Sequence, residues 1–163
     1  MKKITYFIVF LLVVNIVAAQ QTGDFTNNIT QLDQIQYLDA GINTFNFNTV
    51  TEGSQVFIMQ EGNLNSAAVN AIGSDIDISI IQNGNLNNAE LQVENVSLTE
   101  SILQNGNNNN VISYYFGYDQ PVTSEVTQTG NNLTLERYGV NSYTDQIRVN
   151  MQGNSRTVII RSY

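Results

Sequence analysis

The sequence predicts an all-β fold, a β-solenoid of about five stacked strand–turn–strand coils with parallel sheets. Three observations carry this. A short pattern recurs: Gln60, Gly62 and Asn65; Gln82, Gly84 and Asn87; Gln104, Gly106 and Asn109; then Gln128 with Gly130, and finally Gly153. The glycines lie 22, 22, 24 and 23 residues apart, and a near-fixed period of that length is the mark of stacked repeats. Between the turns the side chains alternate with period two. Ser54, Val56, Ile58 and Gln60 share one face, opposite Gln55, Phe57 and Met59, as strand geometry requires. The composition agrees with both. Charged residues make up only 12% against 42% apolar, and neutral amides mixed with β-branched residues favour stacked β-structure over disorder or coiled coil.

Taken in order, the chain opens with Lys2 and Lys3, an apolar run from Ile4 to Val17, and Val17-Ala18-Ala19. That order predicts a secretory signal peptide over 1–19, cut after Ala19. The run is shorter than the ~20 apolar residues of a membrane span, and no cysteine follows to carry a lipid. Residues 20–48 are polar and Asn/Gln-rich, and are expected to form a flexible leader. The spacing of Ile29, Leu32, Ile35 and Leu38 hints at a helical turn, while Phe45, Phe47, Val50 and Gly53 suggest a rudimentary first coil.

Residues 49–163 are the predicted solenoid, with units near 54–75, 76–97, 98–121, 122–144 and 145–163. After each tight turn the inward face resumes, first with Asn65, Ala67, Val69 and Ala71, then with Asn87, Ala89, Leu91 and Val93. Gly62, Gly84, Gly106, Gly130 and Gly153 occupy the turn position where positive φ is wanted. The stretch from Gly117 to Pro121 carries the insertion that lengthens the third unit. Pro121 belongs in that turn because it has no ladder donor.

A lone unit of this size cannot bury its apolar face, whereas stacked copies can, each pairing with its neighbours about 4.8 Å away. Like residues then fall over one another. Gln60, Gln82, Gln104 and Gln128 are expected to form one amide ladder, and Asn65, Asn87 and Asn109 a second, each amide donating to one neighbour and accepting from the other. A one-residue slip would expose every ladder residue. The end layers keep open edges, so end-to-end polymerisation is the expected behaviour.

The cations are unevenly placed. From Gln20 to Glu136 there is none, and beyond it stand Arg137, Arg148, Arg156 and Arg161 against 14 acids in the whole chain. An acidic body argues against nucleic acid, which needs a broad cationic face. The four arginines are read as an exposed basic contact for an acidic surface or a neighbouring subunit. With no His and no Cys, thiol nucleophiles, His-based triads and the usual zinc sites are unavailable. No cofactor or small-molecule substrate is expected. Asp75 and Asp77 read as turn residues rather than a carboxylate pair, and Gly73-Ser74-Asp75 lacks the repeated context of a calcium β-roll.

The pattern Ser-x5-Gln-x-Gly-x-x-Asn-x-Ala resembles the curlin repeat of bacterial curli subunits. Ser54, Gln60, Gly62, Asn65 and Ala67 match it throughout, and Gln82, Gly84, Asn87 and Ala89 match all but the leading serine. Gln104, Gly106 and Asn109 match with Val111 for alanine; Leu133 stands in the asparagine slot of the fourth copy, and Met151 and Arg156 replace glutamine and asparagine in the fifth. The resemblance implies a non-enzymatic, secreted amyloid subunit of biofilm fibres, exported by the Sec route and a dedicated outer-membrane pore with accessory factors. It implies assembly with itself and a second curlin-type subunit at the cell surface. The decayed, basic last repeat is similar to that of the minor, nucleating subunit. The alternatives are the major fibre subunit and, in a different class, a monomeric solenoid binding ice or glycan. For the last, the irregular outward residues Phe57, Asp77, Ser79, Ile81, Ser101 and Leu103 are a poor platform.

Overall fold

The computed structural model describes residues 34–47, 54–72, 75–94, 97–116 and 120–163. The expected signal peptide, the leader up to residue 33 and the turn glycines Gly73 and Gly117 lie outside the described residues.

Among the described residues ten strands follow one another: β1 (Gln34–Ala40), β2 (Thr44–Phe47), β3 (Gln55–Glu61), β4 (Ser66–Ile72), β5 (Ile76–Asn83), β6 (Asn88–Glu94), β7 (Leu98–Asn107), β8 (Asn110–Tyr115), β9 (Val122–Tyr138) and β10 (Gln146–Arg161). Every pairing is parallel. β1, β3, β5, β7 and the first half of β9 stack as one face, while β2, β4, β6, β8 and the second half of β9 stack as the other. β10 lies along the whole of β9. The molecule is therefore a parallel β-solenoid whose layers are single strand–arch–strand units. The last two are continuous strands that keep their pairing through the arch, where Gly130 meets Gly153.

The solenoid starts earlier than the leader expected over 20–48 allows. β1 pairs with β3 from Gln34↔Gln55 to Ala40↔Glu61, and β2 pairs with β4 from Thr44↔Ser66 to Phe47↔Val69. Ile35 and Leu38 are thus strand residues, not part of a helical turn. Only Ile42 and Asn43 separate Gly41 from Thr44, where Asn63, Leu64 and Asn65 separate Gly62 from Ser66. This arch is one residue shorter, which conceals it from a fixed-spacing pattern.

The core follows from alternation. Along one face Ile58, Ile80, Ile102 and Val126 are buried in a column; along the other Ala67, Ala89, Val111 and Leu135 are buried. Each column is vertical because the register pairs equivalent positions, as in Ile58↔Ile80 and Ala67↔Ala89. In the layers of β3–β6, large Ile58 and Ile80 on one face and small Ala67 and Ala89 on the other let the two faces close over a thin space.

The arches carry local strain. Two residues after each turn glycine, Leu64, Leu86, Asn108, Asn132 and Ser155 have φ between 54° and 60°. For leucine that left-handed conformation costs roughly 1–2 kcal/mol. The stacked backbone offsets it, since Leu86 N–H donates to Asn63 C=O at 3.0 Å and Asn108 N–H to Asn85 C=O at 2.9 Å. Leu64 and Leu86 consequently project outward, more than half exposed.

Candidate functional site

The organised chemistry lies in columns of polar side chains rather than in a pocket. Position in the layer decides what each column does. Gln60, Gln82, Gln104 and Gln128 end the inward face of the first strand, just before the glycine arch, and all four are buried. Each Nε2 donates to the next amide: Gln60 to Gln82 at 2.7 Å, Gln82 to Gln104 at 2.8 Å and Gln104 to Gln128 at 2.9 Å. The same nitrogens also donate across the core to the opposite sheet, from Gln82 to Ser66 C=O at 2.9 Å and from Gln104 to Asn88 C=O at 2.9 Å. One column thus fixes the spacing of the layers and of the sheets together.

The asparagine column works differently from the amide-to-amide ladder expected of it. Asn65, Asn87 and Asn109 are buried, but each Nδ2 donates to the next layer's glycine carbonyl: Gly84, Gly106 and Gly130, at 2.9 Å each. Each Oδ1 accepts the next layer's backbone N–H, from Asn87, Asn109 and Leu133, at 3.1 Å. At this point of the arch each amide faces the backbone of the neighbouring layer rather than that layer's amide. Only Asn87 Nδ2 to Asn65 Oδ1, at 3.2 Å, links two side chains in this column. Asn43 extends it backward, its Oδ1 accepting Asn65 N–H at 2.9 Å.

Two further arrangements escape a reading of the repeat motif. An outer ladder climbs the arches: Asn85 Nδ2 donates to Asn107, Asn107 to Asn131 and Asn131 to Asn154, each at 3.1 Å. The Gly-Asn dipeptide in every copy is the signal for it. The second arrangement is a buried polar quartet. Glu100 and Ser113 stand equally far from the arch on opposite sides of one layer, and the register places Ser124 beneath Glu100 and Arg137 beneath Ser113. All four are at most 2% exposed.

Arg137 therefore departs from the exposed cation expected of it. Its Nη1 donates to Tyr115 Oη at 3.2 Å, its guanidinium lies 4.7 Å over the Tyr115 ring, and its Nη2 donates to the Thr144 carbonyl. The Tyr115 hydroxyl in turn donates to Glu100 Oε2. A phenol thus bridges a buried cation and a buried carboxyl. Burial pushes the Glu100 carboxyl up to about 7, against the opposing pull of the Tyr115 hydroxyl, Ser124 and Arg137. Burial, followed by the charge of Glu100, likewise raises the Tyr115 phenol. Glu100 Oε1, Ser113 Oγ, Ser124 Oγ and Arg137 Nε meet no protein hydrogen-bond partner, so Ser124 faces the carboxyl without a well-formed bond to it. Such atoms each cost roughly 1–3 kcal/mol.

The other predicted cations all belong to β10 and are exposed. Arg148 pairs with Glu125 at 2.6 Å, a surface contact of little energetic weight. Arg156 and Arg161 present their charge to solvent in the last layer. The five turn glycines all have positive φ, from 100° at Gly153 to 135° at Gly130.

Parallel layers in one register, joined by amide columns and closed by glycine arches, define a β-solenoid whose side-chain chemistry serves layer stacking. Residues 52–84 match the curlin associated repeat, a stretch that includes β3, β4 and the start of the amide column. No curated protein and no solved structure matches the chain.

The glutamine column yields a direct expectation. Gln104→Leu removes the acceptor of Gln82 Nε2 and the donors to Gln128 Oε1 and Asn88 C=O, leaving buried polar atoms short of partners. A loss of about 2–3 kcal/mol is expected, read as a lower urea midpoint at unchanged m-value.

Proposed function

We propose that this chain is a structural subunit of an extracellular, curli-like fibre, exported with its signal peptide removed and assembled at the outer cell surface. The observation that carries this reading is the vertical register of the glutamine column, with Gln60, Gln82, Gln104 and Gln128 bonded in series. A stack bonded in this way is cross-β packing within one chain, and its rule of addition applies equally to a layer from another chain. The curlin associated repeat at residues 52–84 supports the same class.

Within that class we propose the minor, nucleating role. Its support is the decay of the pattern toward Met151 and Arg156, and the exposed cations Arg148, Arg156 and Arg161 gathered in β10 on an otherwise acidic chain. The proposed partners are further copies of this chain, a second curlin-type subunit whose polymerisation it starts, and the secretion pore with its accessory factors.

The test is a seeding assay with residues 20–163 as wild type and as Arg148→Gln/Arg161→Gln, which removes two exposed cations of β10 and leaves Met151, Arg156 and buried Arg137 in place. Sub-stoichiometric wild-type protein should shorten the lag of a curlin-type major subunit severalfold, and the variant should do so less well. Self-polymerisation without preferential seeding would assign the major-subunit role. A monomer that stays monodisperse for days and seeds nothing would remove the fibre reading and favour the ice- or glycan-binding solenoid.

A further inference from the structure

The layer that ends the described solenoid does not end like the others. In each earlier layer the arch glycine lies directly against the next one. A methyl group built on Gly41, Gly62, Gly84, Gly106 or Gly130 would stand 1.7–2.0 Å from the carbonyl oxygen of the following arch glycine. No side chain fits at this point between layers, and the arrangement recurs at every described step. Gly153 has the same positive φ, so its missing methyl points the same way, toward the place of a following layer. That place is taken by a side chain of the same layer. Arg156 Nε, Nη2 and Cζ lie 3.6, 3.7 and 3.9 Å from the methyl position.

Arg156 can do this because it stands in the asparagine slot, paired in register with Leu133. An asparagine there, like Asn65, Asn87 and Asn109, would offer Nδ2 to the next glycine carbonyl and Oδ1 to the next backbone N–H. Arginine has no acceptor to offer, and its guanidinium covers the arch itself. The glutamine column stops at the same layer. Met151 is paired with Gln128 and buried, and Gln128 Nε2 reaches its sulfur at 3.7 Å. A thioether accepts weakly and cannot donate, so an amide arriving above Met151 would find no N–H for its oxygen.

We infer that Arg156 and Met151 form a built-in partial cap on the C-terminal face of the solenoid, which weakens the docking of the first layer of a second copy of this chain. This deepens the fibre-subunit reading and rests on it: that reading supplies the rule of addition, and the cap says which face takes a new layer less readily. The occupant disfavoured is a strand–arch–strand layer in the register already repeated through the molecule. The backbone edge of β10 alone would otherwise accept one.

The test compares residues 20–163 as wild type, as Arg156→Asn/Met151→Gln, and as Arg156→Ala, by sedimentation velocity and light scattering at equal concentration, pH and salt. Circular dichroism monitors β-content, and the single variant keeps the test available if the double variant folds poorly. The double variant is expected to self-associate about tenfold more tightly than wild type, the gain of roughly one buried amide bond, with Arg156→Ala in between. Removing a cation from an acidic chain increases repulsion between copies, so tighter association cannot come from net charge. Equal or weaker association of both variants overturns the cap. If the wild type stays monomeric while the double variant assembles, the cap stands and the fibre reading of the native chain fails. If the wild type polymerises and the variants match it, the reverse holds.

Discussion

Gly84→Ala is expected to abolish the folded solenoid under conditions where the native chain is stable. The added methyl would lie 2.0 Å from the Gly106 carbonyl oxygen and 2.8 Å from its carbon, contacts no real side chain tolerates. The obstacle is backbone of the next layer and cannot rotate away. Relief requires the layers to separate at the arch, which breaks the Asn87 bond to Gly106 C=O (2.9 Å) and that of Asn85 N–H to Asn107 (3.0 Å). The φ of 119° adds strain for any residue with a Cβ. Together these place the cost on the order of 5 kcal/mol, comparable with the whole stability of a small domain. Gly153→Ala is the control: its methyl meets only the flexible Arg156 side chain at 3.6 Å, so the backbone term of about 1–3 kcal/mol is what remains. Chemical denaturation of both variants checks the pair. Equal losses, or a Gly84→Ala chain within about 1 kcal/mol of wild type, would mean that the layers are not stacked glycine on glycine.

The second large effect is a stability that falls as pH rises, the opposite of ordinary acid denaturation. The Glu100 carboxyl is held up to about 7 from an ordinary 4.5. Between those values the unfolded chain releases a proton that the folded chain retains, so ionisation pulls toward unfolding. The contribution is complete below pH 4.5, is lost progressively up to about pH 7, and is flat beyond. A displacement of that size corresponds to about 3 kcal/mol. Glu100→Gln keeps an oxygen for the Tyr115 hydroxyl but cannot ionise, and is expected to remove most of the slope. Urea unfolding of the two chains from pH 4 to 8 decides it. A wild-type stability that climbs through this window, or a variant with an unchanged slope, would contradict the buried placement of Glu100.

Much of this architecture was readable in advance. Period-two alternation selects Val56, Ile58, Val69 and Ala71 as inward residues, and they are buried. Equal sequence spacing becomes vertical alignment because every layer is one unit long, which is why Gln60, Gln82 and Gln104 meet. The first layer was obscured by its shorter arch, and because Asp39 stands at the register position of Gln60. The asparagine column differs from expectation because position in the arch decides what an amide reaches: Asn65 and Asn109 meet backbone, while Asn107 and Asn131, of the same length, meet amides.

Arg137 marks the boundary most clearly. Alternation through Leu133 and Leu135 already turned it inward, but a lone arginine reads as solvated until a partner for its charge is visible. Glu100, Tyr115 and Ser124 come from positions where the repeats differ from one another, so no periodic signal gathers them. The repeat by itself determined the class of fold, the inward face and the register, since these depend only on like residues recurring at one interval. Which unlike residues met inside, and what closed the last layer, was decided by tertiary structure alone, because such contacts depend on volume and charge between neighbouring layers rather than on period.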